Sequence, residues 1–157
     1  MSEPVLDMSG IDPERDIVTR RVLQAPRHVV YKAWADPAHL AKWWGPKGFT
    51  NTFTDCELEP NGKWIFTMHA PDGADYPNES VFVKIVEHEL IVWDHISGHR
   101  FRAVASFEEI DPDRTAVAYR MRFDSIDEYR KMKDFIVEKN EENFDKLEDE
   151  VKDMMAG

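Results

Sequence analysis

A change in the spacing of apolar residues at Ser125 sets narrow bounds on the fold of this chain. Between residues 53 and 124 apolar and polar residues alternate, and turn signals interrupt the alternation at short intervals, which is typical of an antiparallel sheet. After Ser125 the apolar residues recur at helical spacing as far as Met154. A sheet with one apolar face must be covered, and this helix is the predicted element long enough to cover it.

Capping residues and helix breakers define the elements at the two ends of the sheet. Residues 17–23 form a first predicted strand, and Pro26 is suited to the first turn of a short helix. Asp36 can cap a second short helix, which Gly45-Pro46 closes. Ser125 and Glu128 have capping-box spacing at the start of the long helix.

Turn residues divide the alternating region into six further strands. Asn61-Gly62 predicts a tight hairpin, and a longer loop is expected from Pro71 through Pro77. The predicted strands are residues 53–59, 63–70, 80–87, 90–96, 100–110 and 115–124.

These elements predict an α+β fold in which a curved, antiparallel seven-stranded sheet grips a helix. Two short helices follow the first strand, and the long C-terminal helix crosses the concave face. Residues 1–15 are acidic, with few apolar positions, and are expected to be a flexible leader, whereas residues 16–157 are expected to form a single domain.

Charge disfavours two classes of partner, and the cysteine content bears on disulfides and location. The chain has 157 residues and a net charge of −11, from 31 acidic and 20 basic residues, which disfavours nucleic acid and anionic membranes. Its N-terminus has neither the basic start nor the apolar stretch of a secretory signal. Cys56 is its only cysteine, so we expect no intrachain disulfide and a cytoplasmic location.

Strand alternation selects the side chains that face the helix, and with them the candidate binding residues. A sheet curved around one helix often leaves a space, which these side chains would line together with two residues of the helix. The candidates in this space are Trp64, Phe66, Met68, Trp93, His95, Phe101, Phe107, Tyr119, Met121, Met132 and Ile136.

Trp43 and Trp44 complete the candidate binding set, with two interpretations left open. Their indoles could form the lip of a pocket, or at least one could belong to the core, because adjacent helical residues point in different directions. His95 is similarly ambiguous: it could orient or protonate a ligand carbonyl, or be held by Tyr119 or by the backbone.

The sequence gives no positive signal for covalent catalysis, a cofactor or a metal. It contains no nucleophile elbow, phosphate loop or dinucleotide fingerprint, and its histidines lack ligand spacing. We therefore assign no catalytic residue, cofactor or metal ligand.

Motifs along nearly the whole chain resemble those of a known family, the relatives of the activator of heat-shock protein 90 ATPase. The matching residues are Ala25-Pro26, Val29-Val30, Ala33-Trp34, Asp36-Pro37, Leu40, Trp43-Trp44, Gly45-Pro46, Phe49, the segment 59–64, Met68, Pro71-Asp72-Gly73, Tyr76-Pro77, Val86-Glu87, Asp94-His95 and the segment 143–147. The resemblance implies the helix-grip fold of the superfamily that includes START domains and the birch-pollen allergens. One departure is that a glycine often found in the last helix is replaced in Glu138-Lys139-Asn140, which could narrow a cavity.

Three functions are compatible with this resemblance. The first is a binding module for a small apolar or aromatic ligand, as a monomer or weak homodimer. The second, implied by the family name, is a cochaperone that docks on the 90-kDa heat-shock protein in the stress response. The third is a cyclase or lyase acting in the same cavity. We rank them in this order because a widely reused fold is a poor guide to function.

Overall fold

The computed structural model describes residues 12–98 and 100–156. The strands are β1 (Asp16–Leu23), β2 (Thr50–Cys56), β3 (Lys63–His69), β4 (Asp75–Val86), β5 (Leu90–His95), β6 (Phe101–Asp111) and β7 (Arg114–Phe123). The helices are α1 (Arg27–Ala35), α2 (Pro37–Trp43) and α3 (Ile126–Ala156).

The strands form one antiparallel sheet, in the order β1-β7-β6-β5-β4-β3-β2. Strands β2 to β7 follow one another as a meander, whereas β1 joins the far edge by pairing with β7, from Asp16 opposite Arg122 to Leu23 opposite Thr115. With two short helices after β1 and a long helix at the end, this architecture confirms the predicted helix-grip class.

Helix α3 begins where the capping box predicts and bridges the concave face of the sheet. The Ser125 hydroxyl accepts the Glu128 N–H at 3.2 Å. Tyr129 is buried near the start of α3, and Phe144, Leu147 and Val151 are buried in its second half. Helix α3 is therefore anchored to the core near both ends.

The two short helices are terminated as the sequence predicts. The Asp36 carboxylate accepts the Ala38 N–H at 2.9 Å, which caps α2, and Pro37 occupies its first turn. The Trp43 indole N–H donates to the Ala33 carbonyl at 2.8 Å and ties α2 to α1.

The connection between β2 and β3 is longer than the predicted hairpin. Strand β2 ends at Cys56, opposite Trp64, so six residues separate the strands. The end of this loop pairs with β4: Asn61 N–H donates to the Phe82 carbonyl at 2.8 Å, and Phe82 N–H to Gly62 at 3.0 Å. Asn61 has a φ of 67°, so the dipeptide does supply a left-handed turn residue.

The loop predicted through Pro77 is instead a short turn followed by an early start of β4. Ala70 N–H donates to the Ala74 carbonyl at 2.8 Å, and pairing resumes with His69 opposite Asp75. Pro77 lies beyond the last pair between β4 and β5, Ser80 with His95, where that side of β4 is an edge. Proline is tolerated at such an edge because no ladder partner needs its missing N–H.

A buried ion cluster on the convex face fastens β1 to β7. The Asp16 carboxylate accepts from Arg120 at 2.7 Å and from Arg122 at 2.8 Å. Burial by itself would raise the pKa of Asp16, but the hydrogen bonds from Arg122, Asp12 and Arg120 outweigh that effect and lower the pKa.

The proposed leader lies mostly outside the described residues, which begin at Asp12. Residues 12–15 form a turn, and the Asp12 N–H donates to the Asp16 carboxylate at 2.6 Å.

We predict that a chain ending at Ser125 does not fold. It would leave the concave face uncovered and lose buried side chains such as Phe144 and Leu147, each worth about 1.5–3 kcal/mol. Thermal unfolding followed by circular dichroism should show no cooperative transition. A chain lacking only residues 155–157 is the control and should unfold like the parent, and a cooperative transition in the short chain would contradict the prediction.

Candidate functional site

A cavity of about 410 Å³ lies between the concave face of the sheet and α3. Of the predicted binding residues, all but Trp43 and Phe107 line it. These are Trp44, Trp64, Phe66, Met68, Trp93, His95, Phe101, Tyr119, Met121, Met132 and Ile136. Whether they contact a ligand stays a prediction.

Aromatic rings from four elements form the inner wall of the cavity. Trp93 of β5 stacks on Tyr119 of β7, with ring centroids 5.8 Å apart and planes 16° from parallel. Trp64 of β3 meets Trp93 edge to face at 5.1 Å, and Trp44, at the end of α2, meets Trp64 at 5.2 Å. These mutual contacts fix the rings and give the cavity a largely preformed apolar wall.

Trp43 and Phe107 lie in the core behind this wall. Trp43 is fully buried, with its indole N–H bonded to α1, and its ring packs 4.8 Å from that of Trp34. Phe107 packs edge to face on Trp34 at 5.8 Å and on Tyr31 at 5.4 Å. Of the adjacent tryptophans, Trp43 is therefore a core residue and Trp44 faces the cavity.

His95 lines the cavity, and Asn78 is one of its partners. The Asn78 amide nitrogen donates to the Tyr76 carbonyl at 2.9 Å, which leaves its oxygen toward His95 Nε2, also at 2.9 Å. Since an amide oxygen only accepts, Nε2 carries the hydrogen in this arrangement. The imidazole also stacks on Phe101 at 4.7 Å. These contacts orient His95 as part of the wall.

The loop after α2 forms one rim of the cavity and is held by Lys146 of α3. The Lys146 ammonium donates to the carbonyls of Gly45 and Pro46 at 3.3 Å and of Phe49 at 3.0 Å. Gly45, with a φ of 96°, lets the loop pass close to Met68, because a Cβ there would lie 2.7 Å from Met68 Cε. Desolvation lowers the pKa of Lys146, as expected for a half-buried ammonium.

The cavity is electrically neutral in its interior. Among the described lining residues, only Lys139 carries a full charge. Its ammonium lies 3.4 Å from the Glu142 carboxylate. Burial raises the pKa of the Tyr119 hydroxyl, so this group remains protonated and can act as a hydrogen-bond donor. The described lining is thus mainly apolar, and its one full charge is paired.

Within residues 12–98 and 100–156, no three His, Cys, Asp or Glu side chains are grouped closely enough to hold a metal ion. No helix in the described part of the chain combines the length and apolarity needed to cross a membrane.

Sequence reasoning missed several polar residues in the cavity wall, among them Ser80, Asn140 and Asn143. Asn140 and Asn143 are buried positions of α3, one turn apart, where the apolar stripe is interrupted. That interruption, between Ile136 and Phe144, was the available signal, because a buried polar side chain marks a place where a partner is required.

A curved sheet closed by one helix around an apolar cavity defines the helix-grip class of proteins. A family model described as activator of Hsp90 ATPase homolog 1-like protein matches residues 24–152, and the chain belongs to this family. We found no match among curated proteins.

Solved structures from several bacteria share the fold at low sequence identity. A protein from Nitrosomonas europaea superposes with a TM-score of 0.85 at 20% identity, over 94% of this chain and 100% of that one. A protein from Arthrobacter aurescens gives 0.83 at 21% identity, over 94% and 93%. The AHSA1 protein from Silicibacter pomeroyi gives 0.72 at 16% identity, over 87% and 97%.

We predict that Lys146→Met loosens the cavity rim. The change removes three charged hydrogen bonds from the loop but also relieves the burial of a charge, so the loop should respond more than overall stability. Hydrogen exchange at the Phe49 amide should accelerate by about tenfold or more. Lys152→Met, on an exposed position of the same helix, is the control. Equal exchange in the two variants would contradict the prediction.

Proposed function

We propose that this protein binds a small apolar, largely aromatic molecule in the cavity between the sheet and α3. The observation that carries the proposal is the lining: tryptophan, phenylalanine, tyrosine and methionine side chains surround about 410 Å³ of space. Small-molecule sites commonly occupy about 300–1,000 Å³ and are mainly apolar, with a few placed polar groups. Such a cavity suits a ligand of two or three fused rings.

The position of exposed lining residues supports access from solvent. Tyr76 and Pro77, near the start of β4, and Gly98, in the turn after β5, belong to the wall and are also exposed. The opening therefore lies between the ends of these strands and the first half of α3, which contributes Met132 and Ile136. A ligand can enter there without separating the sheet from α3.

Filling the cavity from the helix side tests this proposal. We expect Ile136→Trp to weaken binding of the neutral fluorescent probe N-phenyl-1-naphthylamine by about tenfold or more, because the indole occupies the space of the ligand. Overpacking should cost about 1–3 kcal/mol, which leaves a stable domain folded. Probe fluorescence measures binding, and urea unfolding measures stability.

The neighbouring residue supplies a matched control. Val137 is 42% exposed and does not line the cavity, so Val137→Trp should bind the probe like the parent. If the parent does not bind the probe, or if Ile136→Trp folds and binds as tightly as Val137→Trp, the proposed site is wrong.

A second candidate function is stimulation of the ATPase of the 90-kDa heat-shock protein, which the description of the matching family names. The outer face of α3 is acidic: Glu141 and Asp145 bind Arg21, at 2.9 and 2.7 Å, and Asp149 and Asp153 are exposed. Such a face can attract a basic surface on the chaperone. We propose the cytoplasm as the location for ligand binding and for this second function alike.

We expect no stimulation of the chaperone's ATPase by this domain at micromolar concentration. Dispersed exposed carboxylates add little affinity, and salt screens them over about 10 Å at 0.1 M. The measurement is the steady-state ATPase rate at low and high salt. A reproducible, salt-sensitive increase that Asp149→Lys and Asp153→Lys abolish would rank this second function first.

A further inference from the structure

Three buried polar atoms in the cavity wall have no hydrogen-bond partner among the described residues. They are the indole nitrogen of Trp64, the hydroxyl of Ser80 and the amide oxygen of Asn143. The three residues are 3%, 1% and 6% exposed, so bulk water does not compensate for the missing bonds. Nearly all buried polar groups in proteins have partners, and unpartnered ones cost stability. Three such groups around one cavity indicate that something else satisfies them.

The three atoms belong to facing walls of the same space. Trp64 of β3 and Ser80 of β4 are directly opposite each other in the sheet, and Ser80 is in turn opposite His95 of β5. Side chains of such cross-strand partners on one face start only about 4.5–5.5 Å apart. Asn143 projects from α3, on the other side of the cavity. A molecule between the walls can therefore meet donors on the sheet side and an acceptor on the helix side.

The hydrogen-bonding character of these atoms specifies the complementary group. An indole nitrogen only donates, an amide oxygen only accepts, and a serine hydroxyl does both. A hydroxyl group on the ligand satisfies both walls, because its oxygen accepts from Trp64 or Ser80 and its hydrogen is donated to Asn143. A carbonyl could satisfy only the sheet side.

The charge distribution argues that this hydroxyl is not part of an acid. Lys139 lies at the wall but is already paired with Glu142, and the Asn78 oxygen occupies Nε2 of His95. An ionised group in this interior would remain desolvated without a counter-ion, which is strongly unfavourable.

The geometry points to a hydroxylated aromatic compound of the phenol or naphthol class as the ligand, with its hydroxyl group held by Ser80, Trp64 and Asn143. This inference rests on the proposed function and adds the chemical class of the ligand. The fused rings would lie against Trp93 and Tyr119, whose planes are within 16° of parallel.

The test compares two molecules of nearly the same shape, 2-naphthol and 2-methylnaphthalene, by isothermal titration calorimetry. In the parent protein we expect 2-naphthol to bind about tenfold more tightly, since its hydroxyl gains buried hydrogen bonds that a methyl group cannot make. In Ser80→Ala this preference should shrink to about threefold or less, while the affinity for 2-methylnaphthalene should not change.

Ser106→Ala on the convex face is the matched control and should retain the full preference for 2-naphthol. Because Ser80 has no hydrogen-bond partner to lose within the described part of the chain, Ser80→Ala should unfold at the same temperature as the parent or higher. A lower melting temperature would show that its hydroxyl is bonded within the protein, and would overturn the inference.

The possible failures are distinguishable. If the parent binds both compounds equally, or if Ser80→Ala keeps the preference, the hydroxyl site is wrong and the apolar cavity stands. If the parent binds neither compound, the inference fails together with the proposed function.

Discussion

The contact between one long helix and a curved sheet is the constraint on which the cavity depends. Tyr129 near one end of α3, and Phe144 and Leu147 in its second half, pack into the core, so the helix is fixed at two places. Between them Met132 and Ile136 remain only half-buried, because the sheet curves away. On α3, the apolar residues that anchor the helix are thus separate from Met132 and Ile136, which line the cavity.

Alternation of residue types predicted much of this arrangement because it reports which face of a strand a side chain occupies. It places Trp93 and Tyr119 on the same face, and their rings stack in the structure. Alternation cannot report depth, so it groups Phe107, which has the same parity, with the cavity, although Phe107 packs against Trp34 behind the cavity wall. Depth depends on how α1 and α2 cover the end of the sheet, which is a tertiary property.

The polar side of the site was harder to predict for a related reason. The sequence pattern predicts a strand over residues 80–87, so Ser80 stands at its start, close to the expected loop, where serine is common. Strand β4 instead begins at Asp75 and carries Ser80 into the sheet between Trp64 and His95. Likewise, Asn143 interrupts the apolar stripe of α3. Helical periodicity identifies the apolar positions of a helix and does not predict which polar residues are buried. A binding site is where a sequence departs from the pattern that builds the fold.

The pairing of β1 with β7 has a consequence for how the chain folds as it is synthesised. Asp16 and Arg122, which join β1 to β7, are 106 residues apart, and α3 follows both. The first strand must therefore wait for its partner until β7 has left the ribosome, and the apolar face stays uncovered until α3 emerges. This domain completes its fold only once α3 is available, and the cavity forms in that final step.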